Sequence, residues 1–166
     1  AGLRHKKGLP LGAAIEQLAL KGTELVNLPY VVKGMDMSLS GLLTAATALL
    51  QKDEYSLEDL CYSLQEHVFS MVTEVTERAL AHTEKKEVLL TGGVAANKRL
   101  QAMLKIISEE HDSQFNVVPL EYATDNGAMI AWIGTLAYQQ GLTTPIEESS
   151  VKLRWRVDKV DVPWIQ

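Results

Sequence analysis

The chain has 166 residues, 46% hydrophobic and 22% charged, enough to bury one core or two small lobes of one. A net charge of -5 argues against a strongly basic nucleic-acid binder, leaving only local basic patches to consider. The single cysteine, Cys61, excludes an internal disulfide and fits a reducing compartment, and no apolar run reaches the roughly 18 residues of a membrane helix.

The opening AGLRHKKGLPLG lacks a signal-peptide apolar core and an initiator Met, so the chain reads as a fragment or a processed form. The pattern predicts a short helix over 11–21, with Ile15, Leu18 and Ala19 on one face and Gly22 as its stop. LPYVVKG and MDMSLSG read as two short strands meeting in a hairpin at Gly34. A helix over 42–50 follows, then an acidic loop leading to Ser56, an N-cap candidate before Leu57, Leu60, Leu64, Val68 and Met71. That helix should run to about Ala81 and be the longest in the chain. EVLLT reads as a buried strand, 96–110 as a helix, FNVVP as a strand, and 125–140 as a helix ended by Gly141. VKLRWRV, residues 151–157, reads as a strand or extended arm.

Strand, glycine-rich turn, helix and strand in that order imply an α/β layer with a parallel βαβ unit. Ligands of such layers sit beyond the carboxyl ends of the strands. At that place stands LLTGGVAANKRL, residues 89–100. Gly92 and Gly93 would let a ligand approach the backbone, the following helix start would favour an anion, and Asn97 offers both donor and acceptor to a ribose or phosphate. The alternative is that the two glycines merely allow tight packing. The stretch is neither a P-loop nor a dinucleotide fingerprint, since GK[ST] and GxGxxG are both absent. In YATDNGAMIAWIG, residues 122–134, Thr124 or Asp125 could simply cap a helix. Alternatively, Asp125 projects into the same crevice as the glycine turn and holds a phosphate-bound metal ion.

Several motifs, in order along nearly the whole chain, resemble the Kae/TsaD/OSGEP family of tRNA threonylcarbamoyltransferases, in its archaeal and eukaryotic branch. They are KGMDMSLSG at 33–41, the long LEDLCYSLQEHVFSMVTEVTERALAH segment at 57–82, TGGVAANKRL, TDNGAMIA, and RWRVDKV near the end, where Lys159 replaces an acidic residue. The resemblance implies an actin-like ATPase fold (mixed sheet flanked by helices), of which residues 1–166 would be the carboxyl-terminal lobe and the amino-terminal lobe would be absent. It implies transfer of a threonylcarbamoyl group from an adenylate to the adenosine beside the tRNA anticodon. It implies binding of ATP or threonylcarbamoyl-adenylate by Gly12 and Glu16, which match a PGGP-x-x-E motif in PLGAAIE, and by Gly92, Gly93 and Asn97. Leu11 and Ala13 depart from that motif. Asp125 matches a ligand of one divalent metal, iron or zinc. The implied partners are tRNA, the amino-terminal lobe, and the kinase-like and small dimerising subunits of a KEOPS assembly; the implied location is cytoplasmic, or nuclear in a eukaryote.

The family's other metal ligands form an HxxxH pair. The four histidines here, His5, His67, His82 and His111, include no such spacing, and His67 and His82 read as partly exposed helix residues. One carboxylate would await about two further ligands. Cys61, mid-helix among leucines, reads as a buried structural thiol. Two basic clusters bear on partners: Arg4, His5, Lys6 and Lys7, and the alternating Lys152, Arg154 and Arg156. The second would share one strand face, either as a solvated edge or as a contact for tRNA phosphates. Two other functions stay open: a catalytically inactive platform within the complex, and a small-molecule kinase of the same superfamily. Asn97→Ala is expected to weaken nucleotide binding and leave the fold intact.

Overall fold

A computed structural model describes residues 11–156 and 159–164. The chain divides after Ala123 into two compact units. The first contains α1 (Leu11–Ala19), β1 (Val32–Lys33), β2 (Asp36–Met37), α2 (Leu39–Lys52), α3 (Leu57–Thr83), β3 (Glu87–Leu90), a 3-10 turn (Gly93–Ala96), α4 (Lys98–Glu110), β4 (Gln114–Val117) and a short α5 (Leu120–Ala123). The second contains α6 (Gly127–Gln139) and a 3-10 turn at Ile146–Glu148.

Helix α3 organises the first unit. It has 27 residues and so spans about 40 Å. Ser56 caps it as expected: its Oγ accepts the Asp59 N–H at 3.0 Å and donates to the Asp59 carboxylate at 2.5 Å. At the other end Glu84 takes a left-handed conformation, and its N–H returns to the Leu80 carbonyl at 2.8 Å.

An extended strap, residues 23–34, runs along α3 and is held by one stripe of its side chains. Asp59 Oδ1 accepts the N–H groups of Thr23 and Glu24 at 2.8 and 3.0 Å. Ser63 Oγ accepts from Val26 N–H at 2.7 Å and donates to the Glu24 carbonyl at 3.3 Å. His67 Nε2 accepts from Leu28 N–H at 3.4 Å, and its Nδ1–H donates to the Ser63 carbonyl at 2.7 Å, which fixes the tautomer. Further on, Tyr30 bonds the Glu74 carboxylate at 2.9 Å and Arg78 bonds the Gly34 carbonyl at 2.7 Å. The register is geometric. Four helical residues rise about 6.0 Å and two extended residues about 6.6 Å, so positions 59, 63 and 67 meet 24, 26 and 28.

Two apolar clusters flank α3. Leu28, Val32, Leu42 and Met71 join the strap and α2 to it, with Ala45, Ala46 and Leu49 around them. Phe69, Leu80, Leu100, Leu104 and Ile107 join α3 to α4, with Val88, Leu90 and Phe115 of the sheet against them. Gly22 lets the end of α1 approach α3: a Cβ there would lie 2.5 Å from Tyr62 Cβ and 2.6 Å from the Glu58 carbonyl oxygen. The residue therefore serves close approach rather than a left-handed helix stop.

The predicted hairpin forms, Val32 opposite Met37, with Gly34 at a φ of 63° in the two-residue loop. The predicted βαβ unit also forms. β3 and β4 are parallel, Glu87 opposite Gln114 through Leu90 opposite Val117, with α4 as the crossover. Instead of one mixed sheet, the described residues make two separate two-stranded sheets.

Three local expectations are corrected. EVLLT is not a fully buried strand: Val88 and Leu90 face the helices while Leu89 is 65% exposed, because helices cover one face only. The helix expected from residue 96 begins at Lys98, after a separate 3-10 turn. The helix expected from 125 begins at Gly127, and its cap is Asn126, not Thr124 or Asp125: Asn126 Oδ1 accepts Met129 N–H at 3.0 Å. It ends before Gly141, whose φ is 73°.

Residues 151–156 are not a strand. The chain turns there, with Trp155 N–H bonded to the Lys152 carbonyl at 3.2 Å, so Lys152, Arg154 and Arg156 do not line a strand face. The other basic cluster, Arg4, His5, Lys6 and Lys7, lies outside the described residues. α6 is apolar in sequence yet has no buried residue; Ile130, Trp132 and Ile133 are all exposed. No helix among the described residues is long and apolar enough to cross a membrane.

Candidate functional site

Gly92, Gly93 and Asn97 come together in the turn that links β3 to α4. Gly92 sits at a φ of 96° and ψ of 172°, a conformation closed to side-chain-bearing residues. A Cβ at Gly92 or Gly93 would meet nothing within 4 Å. Tight packing is therefore not what these glycines serve, and the backbone here borders open space. The turn is hydrogen-bonded internally, Ala95 N–H to the Gly92 carbonyl and Asn97 N–H to the Val94 carbonyl, each at 3.0 Å. Gly93 and Val94 open it, where helical geometry leaves N–H groups without an acceptor in the same turn. Gln101 braces it from α4, its Nε2 bonded to the Ala95 carbonyl at 2.6 Å.

Asn97 is the N-cap of α4 and is only 7% exposed. Its Oδ1 accepts the N–H groups of Arg99 and Leu100 at 2.9 and 3.2 Å. Its Nδ2 donates to Gln65 Oε1 on α3 at 3.0 Å. Both oxygen lone pairs are thus engaged, and these bonds use one of the two amide N–H groups. Sequence reasoning missed Gln65 and the neighbouring pair of Arg99 and Glu66. Arg99 grips the Glu66 carboxylate with two nitrogens, Nε to Oε1 at 2.9 Å and Nη2 to Oε2 at 2.7 Å. That bond raises the guanidinium pKa further, against a smaller opposing effect of burial. The only signal available beforehand was that 65 and 66 occupy adjacent positions on an amphipathic helix.

Gly12 and Glu16 lie four residues apart on α1 and share a face. Gly12 is exposed with open space at its Cβ position, and Glu16 is half-buried. Asp125 belongs to the second unit, is exposed, and is relieved of capping by Asn126.

Among the described residues, no three of His, Cys, Asp and Glu form a group able to hold a metal ion. His67 spends both ring nitrogens on the strap and helix, and His111 faces Glu77 at 3.6 Å. The described residues thus supply at most part of a ligand set, since such centres use about three protein ligands. Cys61 is buried, and its thiol pKa is pushed up by desolvation first and by Glu58 second, which disfavours the nucleophilic thiolate. Clefts among the described residues include two on the first unit. One of about 320 Å³ is lined by Leu25, Tyr30, Glu66, His67, Ser70, Met71 and Glu74. One of about 230 Å³ is lined by Leu80, Ala81, Glu84, Lys85, Lys86 and His111. Neither is lined by any of the predicted site residues.

Comparison with known proteins follows the same motifs. Residues 2–132 match the family model described as TsaD, tRNA N6-adenosine threonylcarbamoyltransferase. A relative from Methanothermobacter thermautotrophicus, named as a probable bifunctional tRNA threonylcarbamoyladenosine biosynthesis protein, is 56% identical over 166 residues, all of this chain and 30% of that protein. A tRNA N6-adenosine threonylcarbamoyltransferase from Methanococcoides burtonii is 54% identical over 165 residues, 99% of this chain and 48% of that protein. The chain thus spans half or less of the length of these curated relatives. In fold it is similar to part of the crystal structure of T. kodakarensis HypF, with a TM-score of 0.63 over 86% of this chain and 18% of that one, at 24% identity. With its α/β core, its glycine turn between parallel strands and a family match over most of its length, the chain belongs to the tRNA N6-adenosine threonylcarbamoyltransferase family.

Proposed function

We propose that the chain is the carboxyl-terminal, actin-like lobe of an enzyme that binds ATP or threonylcarbamoyl-adenylate and transfers the threonylcarbamoyl group to the adenosine beside the tRNA anticodon. The observation that carries this is the turn at 92–97. It follows a parallel strand, borders open space, and needs glycine for its backbone conformation rather than for packing. In this reading the N–H groups of Gly93 and Val94 face the phosphate and offset charge as it grows there. Asn97 holds those donors in place by capping α4 against Gln65, and its remaining amide hydrogen is available to the nucleotide. Gly12 and Glu16 on α1 supply a second contact to it. A divalent iron or zinc ion would supply Lewis-acid chemistry when bound; Asp125 offers it one carboxylate, and the other ligands come from the amino-terminal lobe. The same reading names tRNA, the kinase-like and small dimerising KEOPS subunits as partners, and the cytoplasm as the location.

The test is calorimetric titration of the chain with ATP, alongside Gly93→Asp. That position has open space and no positive φ, so the variant adds a carboxylate at the phosphate-facing turn without strain. Binding by the parent and its loss in the variant, at an unchanged melting temperature, is the expected result. Equal affinity in both removes the turn from the site. A second reading, an inactive interaction platform within the complex, draws on α6, whose apolar residues are all unburied. Absence of heat and of thermal shift with ATP favours that platform.

A further inference from the structure

Residues 152–155 form a turn that combines cations with an open aromatic ring. Lys152 Nζ lies 4.8 Å from the centroid of the Trp155 ring, within cation–π range. The Trp155 N–H closes the turn on the Lys152 carbonyl, which leaves Arg154 exposed near its tip. Trp155 is 64% exposed, so its ring is open to a ligand. No acidic residue occurs from Ser149 to Arg156.

We infer that Lys152, Arg154 and Trp155 form a platform for unpaired RNA, with a base stacked on the uncovered face of the indole and the two cations on the flanking phosphates. The inference rests on the reading that the protein acts on tRNA, and it names residues and a mode of contact for that substrate. Lys152 covers one face of the ring, so a base meets the other. The base–aromatic contact needs unstacked bases, whereas charge alone would favour the duplex, which has the higher phosphate density. An acidic protein partner would use the cations and leave the ring face without purpose, and an anionic membrane would use the cations with Val151 and Leu153.

The experiment measures anisotropy of a labelled single-stranded RNA of roughly a dozen nucleotides, the matching duplex, and phosphatidylserine vesicles, each against the full chain. The single strand should bind more tightly than the duplex. Trp155→Ala should weaken it about tenfold while Trp155→Phe keeps most of the affinity. Lys152→Ala combined with Arg154→Ala should reduce the logarithmic salt slope by about 1.4, two single-strand phosphate contacts. Unchanged affinity in Trp155→Ala, preference for the duplex, or binding to vesicles alone each overturns the inference. The enzymatic reading fails separately: a longer form of the protein that binds RNA through Trp155 and yet forms no modified adenosine would remove the activity and leave the platform.

Discussion

Asn97→Ala tests how the glycine turn is built. The substitution removes two hydrogen bonds from Asn97 Oδ1 to the start of α4, and one from Nδ2 to Gln65. Loss of the cap costs about 1 kcal/mol. Gln65 is 9% exposed, so its Oε1 loses its partner in a buried setting, for about 1–3 kcal/mol more. The total is about 2–4 kcal/mol, read as a shift of the urea midpoint at constant slope. To the expectation that this variant leaves the fold intact, the structure adds a cost in stability. Asn97→Ser keeps a capping oxygen and loses the Gln65 bond, so it should fall between the parent and Asn97→Ala. A double-mutant cycle with Gln65→Ala should give a coupling of about 1 kcal/mol, since the two amides meet directly. If Asn97→Ala matches the parent midpoint and the cycle shows no coupling, the amide is not the joint between α3 and α4. Asn97 would then be free to serve a ligand alone.

Three further outcomes follow from the same geometry. Gly22→Ala should destabilise by about 1–3 kcal/mol or more, because its Cβ would collide with the backbone of α3 as well as Tyr62; an unchanged melting temperature refutes the close approach. Asp59 has a lowered pKa, caused first by the Ser56 hydroxyl and then by the N–H groups of Glu24 and Thr23. Its folded value lies below its unfolded one, so its stabilisation is present above the ordinary carboxylate range and is lost as pH falls through the depressed value; Asp59→Asn should flatten the acid limb of the stability curve, and an identical limb counts against the strap. Cys61 should react with a thiol reagent far more slowly in the native chain than in urea, and equal rates would contradict its burial and raised pKa.

Local signals carried the elements and the family. Ser56 before an apolar periodicity announced α3, Gly34 announced the hairpin, and the alternation of strands and helices announced the parallel unit. These follow from the sequence because caps, turns and periodicity depend on residues a few positions apart. The motifs that together named the family, at 33–41, 57–82, 89–100 and 122–134 among them, were legible for the same reason: each is contiguous.

The site was only half legible. That Gly92 needs its glycine for a φ of 96° rather than for packing depends on what surrounds it, and no local pattern says what surrounds a residue. That Asn126 displaces Asp125 as the cap depends on a one-residue choice of helix start. The strap on α3 could not be read at all. Asp59, Ser63 and His67 look like ordinary helix residues until an extended segment some 35–39 positions away lies along them in matching rise. Sequence alone determined most of the helices, the hairpin, the parallel unit and the kinship of this chain; tertiary structure decided which polar groups are consumed in holding it together, because hydrogen bonds between distant segments are set by packing and not by adjacency in the chain.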